Sequence, residues 1–342
     1  MKKISVGING FGRIGRAFLK VARTREDIEV VAINDLGDIE NLAYLLRYDS
    51  AYGKADFSVE VLDGALIIDG KSISLTSEKE PKNIPWGKLG ADVVIESTGI
   101  FESYEKAKGH LLGGGKRVVI TAPVKDEPLA DIGSATVLMG INDDTLKTCV
   151  ISSNGSCTTN AGAPLLAILG EALGVEKAVL NTVHAYTATQ SIVDSPAKGD
   201  MRRGRAGAQN IVPSSTGAAV AVTKALTSFE NKFDGIAIRV PVVAGSLVDI
   251  TFISSRETTA EEVNKIMKEA SLSERWKKIF AVTDEPLVSS DILGLPHASI
   301  ADLAMTRVVG GNLVKVLAWY DNEMGYANTL VLHLVKAGEN IV

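Results

Sequence analysis

Cysteine is almost missing from this chain: of 342 residues, only Cys149 and Cys157 carry a thiol. Two cysteines without regular spacing exclude a disulfide framework and fit a reducing compartment. Long hydrophobic runs are missing as well. Although 46% of the residues are hydrophobic, no 18-residue apolar stretch occurs, so no membrane-spanning helix is expected. The start, Met1-Lys2-Lys3, runs straight into a short strand-like stretch without the core of a signal peptide. Internal repeats and low-complexity segments are absent, which excludes solenoid and disordered classes. Neither charge sign dominates: 36 Lys and Arg against 41 Asp and Glu leave a net charge of -5, no global pull toward nucleic acid or a membrane. The expectation is a soluble, cytoplasmic protein with about two domains, each able to bury a core.

The first half of the chain reads as alternating strands and helices. Residues 4–9 form a short apolar strand that runs into Gly10-Phe11-Gly12-Arg13-Ile14-Gly15 and then a helical pattern of Ile14, Ala17, Phe18 and Val21. In a dinucleotide-binding turn Gly10 permits the bend, Gly12 lets the backbone approach a pyrophosphate, and Gly15 allows close helix packing. Alone, the pattern is weak. It gains weight from a second strand, 29–34, ending at Asp35, twenty residues after Gly15, where a ribose-binding carboxylate is expected. Asn34-Asp35-Leu36-Gly37 is also good turn chemistry, the competing reading for Asp35.

Residues 58–77 alternate in polarity, with Asp63-Gly64 and Asp69-Gly70 as hairpin turns, which predicts a small antiparallel insertion. Parallel-type strands return at 93–97 and 118–121, with helical segments near 103–110. They end in Ser97-Thr98-Gly99 and Thr121-Ala122-Pro123, small residues at the strand ends where ligands lie in open parallel sheets; ordinary loop chemistry explains each taken singly.

The pivot is Ser152-Ser153-Asn154-Gly155-Ser156-Cys157-Thr158-Thr159-Asn160. Cys157 follows an apolar strand-like run, 149–151, and precedes a helical pattern over 161–169. At such a junction backbone amides and the helix dipole favour a thiolate. A buried structural cysteine is the competing reading, and the flanking hydroxyls argue against it.

Beyond Cys157, strands at 178–186, 235–243, 247–255 and 312–320 with few helices between the last pairs predict an antiparallel sheet and a second domain. His184 lies in the first of these. A lone strand histidine is commonly a satisfied core residue, but His110, His297 and His333 have no comparable setting, which leaves His184 as the general-base candidate for Cys157. Residues 190–216 lack periodicity and hold Lys198, Arg202, Arg203 and Arg205 within eight residues. In a compact domain so long a loop reads as functional or interfacial, and its charge suits phosphorylated ligands. Residues 325–336 predict a C-terminal helix that docks on the first domain.

Taken together, Asn9 to Arg16, Ala32-Ile33-Asn34-Asp35, Ser97-Thr98-Gly99, Ser153 to Asn160, His184 to Gln190, Pro213 to Ala218 and Trp319 to Tyr326 make the chain resemble phosphorylating glyceraldehyde-3-phosphate dehydrogenases over essentially its whole length. The resemblance implies an α/β fold, with a Rossmann-type, mostly parallel sheet domain at 1–156 completed by a C-terminal helix, 322–342, and an α+β catalytic domain with an antiparallel sheet at 157–321. It implies NAD as cofactor, glyceraldehyde 3-phosphate and inorganic phosphate as substrates, and a homotetramer, with no nucleic-acid or membrane partner. Cys157 would be the nucleophile and His184 the group that orients and deprotonates. Gly10, Gly12, Arg13, Ile14, Gly15, Asp35, Thr98, Gly99, Thr121 and Asn322 would contact NAD, with Asn322 on the nicotinamide carboxamide. Thr187 and Arg239 match the site of the substrate's own phosphate; Ser156, Thr158, Thr216 and Gly217 match that of the attacking phosphate.

A close relative with the same cysteine and histidine, erythrose-4-phosphate dehydrogenase, is the alternative. A binding role of the basic loop toward RNA or a partner protein is a third reading. Gly155 stands where the family usually has alanine, Thr121 where it has serine, and Ser195 precedes Pro196 at a variable position. Glycine before the nucleophile is expected to loosen the turn.

Overall fold

The structure, a computed structural model, describes residues 3–341. These fall into two compact units, one of residues 3–155 with 330–341, the other Ser156–Thr329.

The first unit is built on a nine-stranded sheet in the order Ser134–Thr136, Ile151–Ser153, Arg117–Ile120, Val93–Glu96, Ile4–Asn9, Ile28–Asn34, Lys71–Thr76, Ala65–Ile68, Val59–Leu62. From Ser134–Thr136 through Lys71–Thr76 every pairing is parallel. Val6, Ile8, Val93, Val94, Ile95, Val118 and Val119 are wholly buried, as in strands covered on both faces. The expected insertion at 58–77 is antiparallel within itself, yet Lys71–Thr76 pairs with Ile28–Asn34, so the hairpins extend the main sheet. Both turns have positive φ at two successive residues, 50° and 75° at Asp63-Gly64 and 47° and 77° at Asp69-Gly70, the mirror-image turn whose twist matches a hairpin.

The helix Met324–Gly338 belongs to the first unit from Leu330 onward. There His333 Nε2 lies 2.7 Å from Ser152 Oγ, its Nδ1 lies 3.1 Å from Asn154 Oδ1, and Lys336 pairs with Asp143. Gly338 packs against Ile4 so closely that a Cβ would meet its side chain at 2.6 Å.

The second unit's sheet has seven strands in the order Val212–Ser215, Phe233–Val240, Val175–Ala185, Ser246–Ser254, Leu313–Tyr320, Ser299–Val309, Phe280–Thr283. It is mixed: mostly antiparallel, with Val175–Ala185 parallel to Phe233–Val240 and Phe280–Thr283 parallel to Ser299–Val309. Most pairings follow the expected antiparallel sheet, and the two parallel ones arise where long connections, one of them carrying the helix Ala218–Ala225, return the chain to the strand's starting end.

The helix Cys157–Leu173 packs on one face of this sheet and buries Leu165, Leu166, Ile168 and Leu169. Along Val175–Ala185 burial alternates, with Ala178, Leu180, Thr182 and His184 buried while Val179 is 60% exposed. The two-residue period of a strand therefore sets His184 on the covered face. Among the described residues no helix is long and apolar enough to cross a membrane.

Candidate active site

In the second unit the helix begins at Cys157, four residues ahead of the expected pattern, because Ser156 caps it. Ser156 Oγ accepts the Thr159 N–H at 3.1 Å while Thr159 Oγ1 accepts the Ser156 N–H at 3.1 Å, a capping box with threonine in place of the usual acid. The preceding Gly155 has φ 62°. That left-handed geometry suits glycine and strains alanine, so glycine relieves this turn rather than loosening it, a correction to the sequence expectation.

Cys157 Sγ lies 3.3 Å from His184 Nε2. His184 is buried and packs edge-on against the Tyr320 ring at 5.9 Å between centroids. Arg239 stands directly beside His184 in the parallel register of the two strands, with Nη1 at 2.6 Å from His184 Nδ1 and donating to the Ala185 carbonyl at 3.2 Å. Burial, and secondarily the Arg239 charge, push His184 down to about 3. Burial likewise pushes the Cys157 thiol up, while Arg239 and the Thr158 hydroxyl and amide pull it back. Desolvation thus opposes the thiolate that the helix start favours, while the Arg239 charge and the Thr158 hydroxyl and amide favour it.

Thr158 is buried, with its hydroxyl 2.9 Å from Tyr320 Oη, which in turn lies 2.8 Å from Thr182 Oγ1. Its hydroxyl and that of Ser156 are thus engaged within the helix start and its support. Thr187 is partly exposed, its hydroxyl 3.0 Å from that of Thr189. Thr216 and Gly217 precede the helix Ala218–Ala225, where Thr216 Oγ1 accepts the Ala218 N–H at 3.2 Å. Asn322 Oδ1 accepts from Gly245 N–H and Ser246 Oγ–H, both at 3.0 Å, and Ser246 Oγ accepts the Ala185 N–H at 3.1 Å. This fixes the orientation of the Asn322 amide and ties it to the strand of His184.

In the first unit a cavity is lined by Asn9, Gly10, Gly12, Asp35, Ser97 and Thr98. Asn34, Leu36, Glu78, Lys79, Ile100 and Phe101 complete the lining, and none of these six stood out in the sequence as a contact. Their only local signal is adjacency to the glycine turn and to the strand ends. Gly10 has φ 91°, and a Cβ there would lie 2.7 Å from the Thr98 nitrogen. A Cβ on Gly15 would lie 2.2 Å from the Gly10 carbonyl oxygen, whereas at Gly12 nothing lies within 4 Å. No side chain caps the helix Arg13–Ala22. Open backbone at Gly12 beside an uncapped helix start fits a pyrophosphate. Ile14 is in that first turn; the Arg13 guanidinium is engaged by buried Asp49 at 2.9 Å and the Tyr52 ring at 5.7 Å.

Asp35 makes the turn contact of the competing reading and also reaches the glycine loop. Its Oδ1 accepts the Gly37 N–H at 2.8 Å, a turn contact, while its Oδ2 accepts the Phe11 N–H of the glycine loop at 2.6 Å. Thr121 Oγ1 donates to the Glu96 carbonyl at 3.0 Å, and Gly99 has φ 71°. Among the described residues no group of three or more His, Cys, Asp or Glu side chains could hold a metal ion.

A dinucleotide-type parallel sheet in one chain with a mixed-sheet unit bearing a cysteine–histidine pair defines the class, an NAD-dependent oxidoreductase. Residues 4–104 match the family described as "Glyceraldehyde 3-phosphate dehydrogenase, NAD binding domain", and residues 156–322 match its C-terminal domain. The chain is 46% identical to a glyceraldehyde-3-phosphate dehydrogenase of Streptomyces coelicolor over 99% of each chain. It is 50% identical to one of Thermotoga maritima over 95% of this chain and 96% of the relative, and 45% identical to one of Geobacillus stearothermophilus over 96% of each. The chain belongs to the glyceraldehyde-3-phosphate dehydrogenase family.

Proposed function

We propose that this protein oxidises glyceraldehyde 3-phosphate with NAD and couples the oxidation to inorganic phosphate, giving 1,3-bisphosphoglycerate. The observation that carries the proposal is the Cys157–His184 contact of 3.3 Å with Arg239 against the far side of the imidazole. Bound NAD supplies the hydride acceptor; Asp35, Gly12 and the helix start of Arg13 and Ile14 hold it.

The substrate phosphate pairs with Arg239 and Thr187. Arg239 drawn to that anion releases His184 Nδ1, which then carries the imidazole proton and donates a hydrogen bond to the Ala185 carbonyl 2.6 Å away. Nε2 is left as acceptor and takes the Cys157 proton as sulfur attacks the aldehyde carbon. The Nε2 proton passes to the aldehyde oxygen to complete the hemithioacetal, which then loses hydride from its carbon and returns its hydroxyl proton to Nε2, forming a thioester. Phosphate held at the helix starts of Cys157 and Ala218, near Thr158, Thr216 and Gly217, attacks the thioester carbon, and Cys157 sulfur leaves.

The relatives' names favour glyceraldehyde 3-phosphate over erythrose 4-phosphate. The protein acts as a homotetramer in the cytoplasm. Val179, Ile236, Ile192 and Met201, exposed by 60%, 54%, 84% and 87%, offer apolar surface for subunit contacts. Arg205 pairs with Asp194, and Arg203 bonds Ser214 Oγ and the Ser215 carbonyl within the loop. The test is NADH formation from glyceraldehyde 3-phosphate with and without inorganic phosphate: steady turnover should need phosphate. Full-rate turnover without it, with 3-phosphoglycerate accumulating, would refute the coupling.

A further inference from the structure

Behind the glycine turn of the first unit lies a carboxylate that the reaction does not use. Glu96 ends the strand Val93–Glu96 and is 2% exposed. Its Oε1 accepts the Thr98 N–H at 2.9 Å and the Thr98 hydroxyl at 2.5 Å; its Oε2 accepts the Asn9 amide at 2.6 Å and contacts His110 Nε2 at 2.8 Å.

The direction of the last contact follows from its neighbour. Trp86 Nε1, which can only donate, lies 3.0 Å from His110 Nδ1. Nδ1 therefore accepts, and in the neutral ring the proton is on Nε2, pointing at Glu96. Four donors and no acceptor meet Glu96, the pattern of a carboxylate anion. On its other side Asn9 Oδ1 accepts from Asn34 Nδ2 at 2.8 Å, and Asn34 Oδ1 accepts from the Thr76 hydroxyl and the Glu78 N–H, both at 2.8 Å. The amides of Asn34 and Asn9 thus donate in sequence toward Glu96, and Asn34 Nδ2 also donates to the Glu78 carbonyl at 2.9 Å.

The residues that Glu96 holds are the walls of the cofactor cavity. Asn9 leads into Gly10, and Thr98 lies in the facing turn; Ser97 Oγ also donates to the Gly10 carbonyl at 2.7 Å. We propose that Glu96, held by His110, is a positioning residue for the dinucleotide, fixing the Gly10 turn and the Thr98 turn at one separation before NAD arrives. The proposal rests on the cofactor reading above. Preorganisation of this kind lowers the ordering cost of binding and leaves the chemistry at Cys157 unaffected.

Calorimetric titration of the full-length protein with NAD tests it, alongside iodoacetamide labelling of Cys157 without NAD. Glu96→Gln puts an amide N–H in place of an acceptor and should raise the NAD dissociation constant at least about tenfold, given the worth of bonds to charged groups, with Cys157 labelling unchanged. Leu146→Ala, in a separate core cluster with Val137 and Cys149, should lower the melting temperature and leave NAD affinity as it was. If Glu96→Gln does not fold, His110→Phe removes one of the four donors and should weaken NAD by roughly three- to tenfold. Wild-type affinity in the folded Glu96 or His110 variant, or equal weakening in Leu146→Ala, overturns the proposal. A wild-type protein that does not bind NAD overturns the cofactor reading and this proposal with it.

Discussion

Arg239 Nη1 sits 2.6 Å from His184 Nδ1 and 3.2 Å from the Ala185 carbonyl oxygen, which itself lies 2.6 Å from Nδ1. A guanidinium can only donate and a carbonyl oxygen can only accept, so Arg239 and Ala185 compete for opposite tautomers of His184, Arg239 favouring the proton on Nε2 and Ala185 the proton on Nδ1. Arg239 thus controls which nitrogen of His184 can act as a base, and it is also the cation proposed to meet the substrate's phosphate.

Replacing Arg239 with Leu is expected to act on both binding and titration. Loss of the guanidinium should raise the KM for glyceraldehyde 3-phosphate. It also removes the charge that pulls the Cys157 thiol back from its burial-raised position, so the rate of iodoacetamide labelling should reach its midpoint at higher pH than in the wild type. A midpoint that stays or falls would show that Arg239 does not act on the sulfur.

His184→Asn should lower the hydride-transfer rate by roughly two to four powers of ten, the usual worth of a positioned general base. Single-turnover NADH formation measures this directly. A variant within threefold of wild type would exclude His184 as the base, on the order-of-magnitude scale just given.

Asp35→Ala bears on coenzyme choice. A carboxylate at the ribose repels a 2'-phosphate, so the wild type should prefer NAD to NADP, and the variant should narrow the ratio of kcat/KM values. Because Asp35 also accepts the Phe11 and Gly37 amides, NAD affinity itself should fall. An unchanged ratio would assign Asp35 to the turn alone.

His333 should make the first unit sensitive to acid. Burial holds it neutral, pushed down to about 3 from an ordinary 6.5, so the unfolded chain takes up a proton that the folded one refuses. The stabilisation is complete above about pH 6.5 and is lost as pH falls toward 3, at about 1.4 kcal/mol per pH unit for each such site. In denaturant titrations the wild type should lose stability relative to His333→Gln by about 1.4 kcal/mol for each pH unit below about 6.5. Parallel curves would mean that His333 is protonated equally in both states.

Much of the first unit is written locally. A strand, a glycine turn and a helix are set by residues within one turn of each other, and the two Asp-Gly turns carry side chains suited to successive positive φ values. Ser299–Val309 was illegible because its first half, Ser299 to Leu303, is buried without alternation. Val212–Ser215 was hidden by Pro213, which an edge strand tolerates.

Cys157 and His184 could be singled out from sequence by residue type, setting and elimination, since their signals are a strand–helix junction and a strand position. Their distance and protonation could not. The first depends on which strand faces which helix, the second on how completely distant segments exclude water. Likewise Arg239 meets His184 only through the parallel register of strands separated by more than fifty residues, and His110, a histidine with no informative neighbours in the chain, reaches Glu96 only because the sheet brings them together. Periodicity and turn chemistry are properties of adjacent residues and are read from the sequence alone; desolvation and hydrogen-bond partnership belong to residues that only the folded sheet makes adjacent.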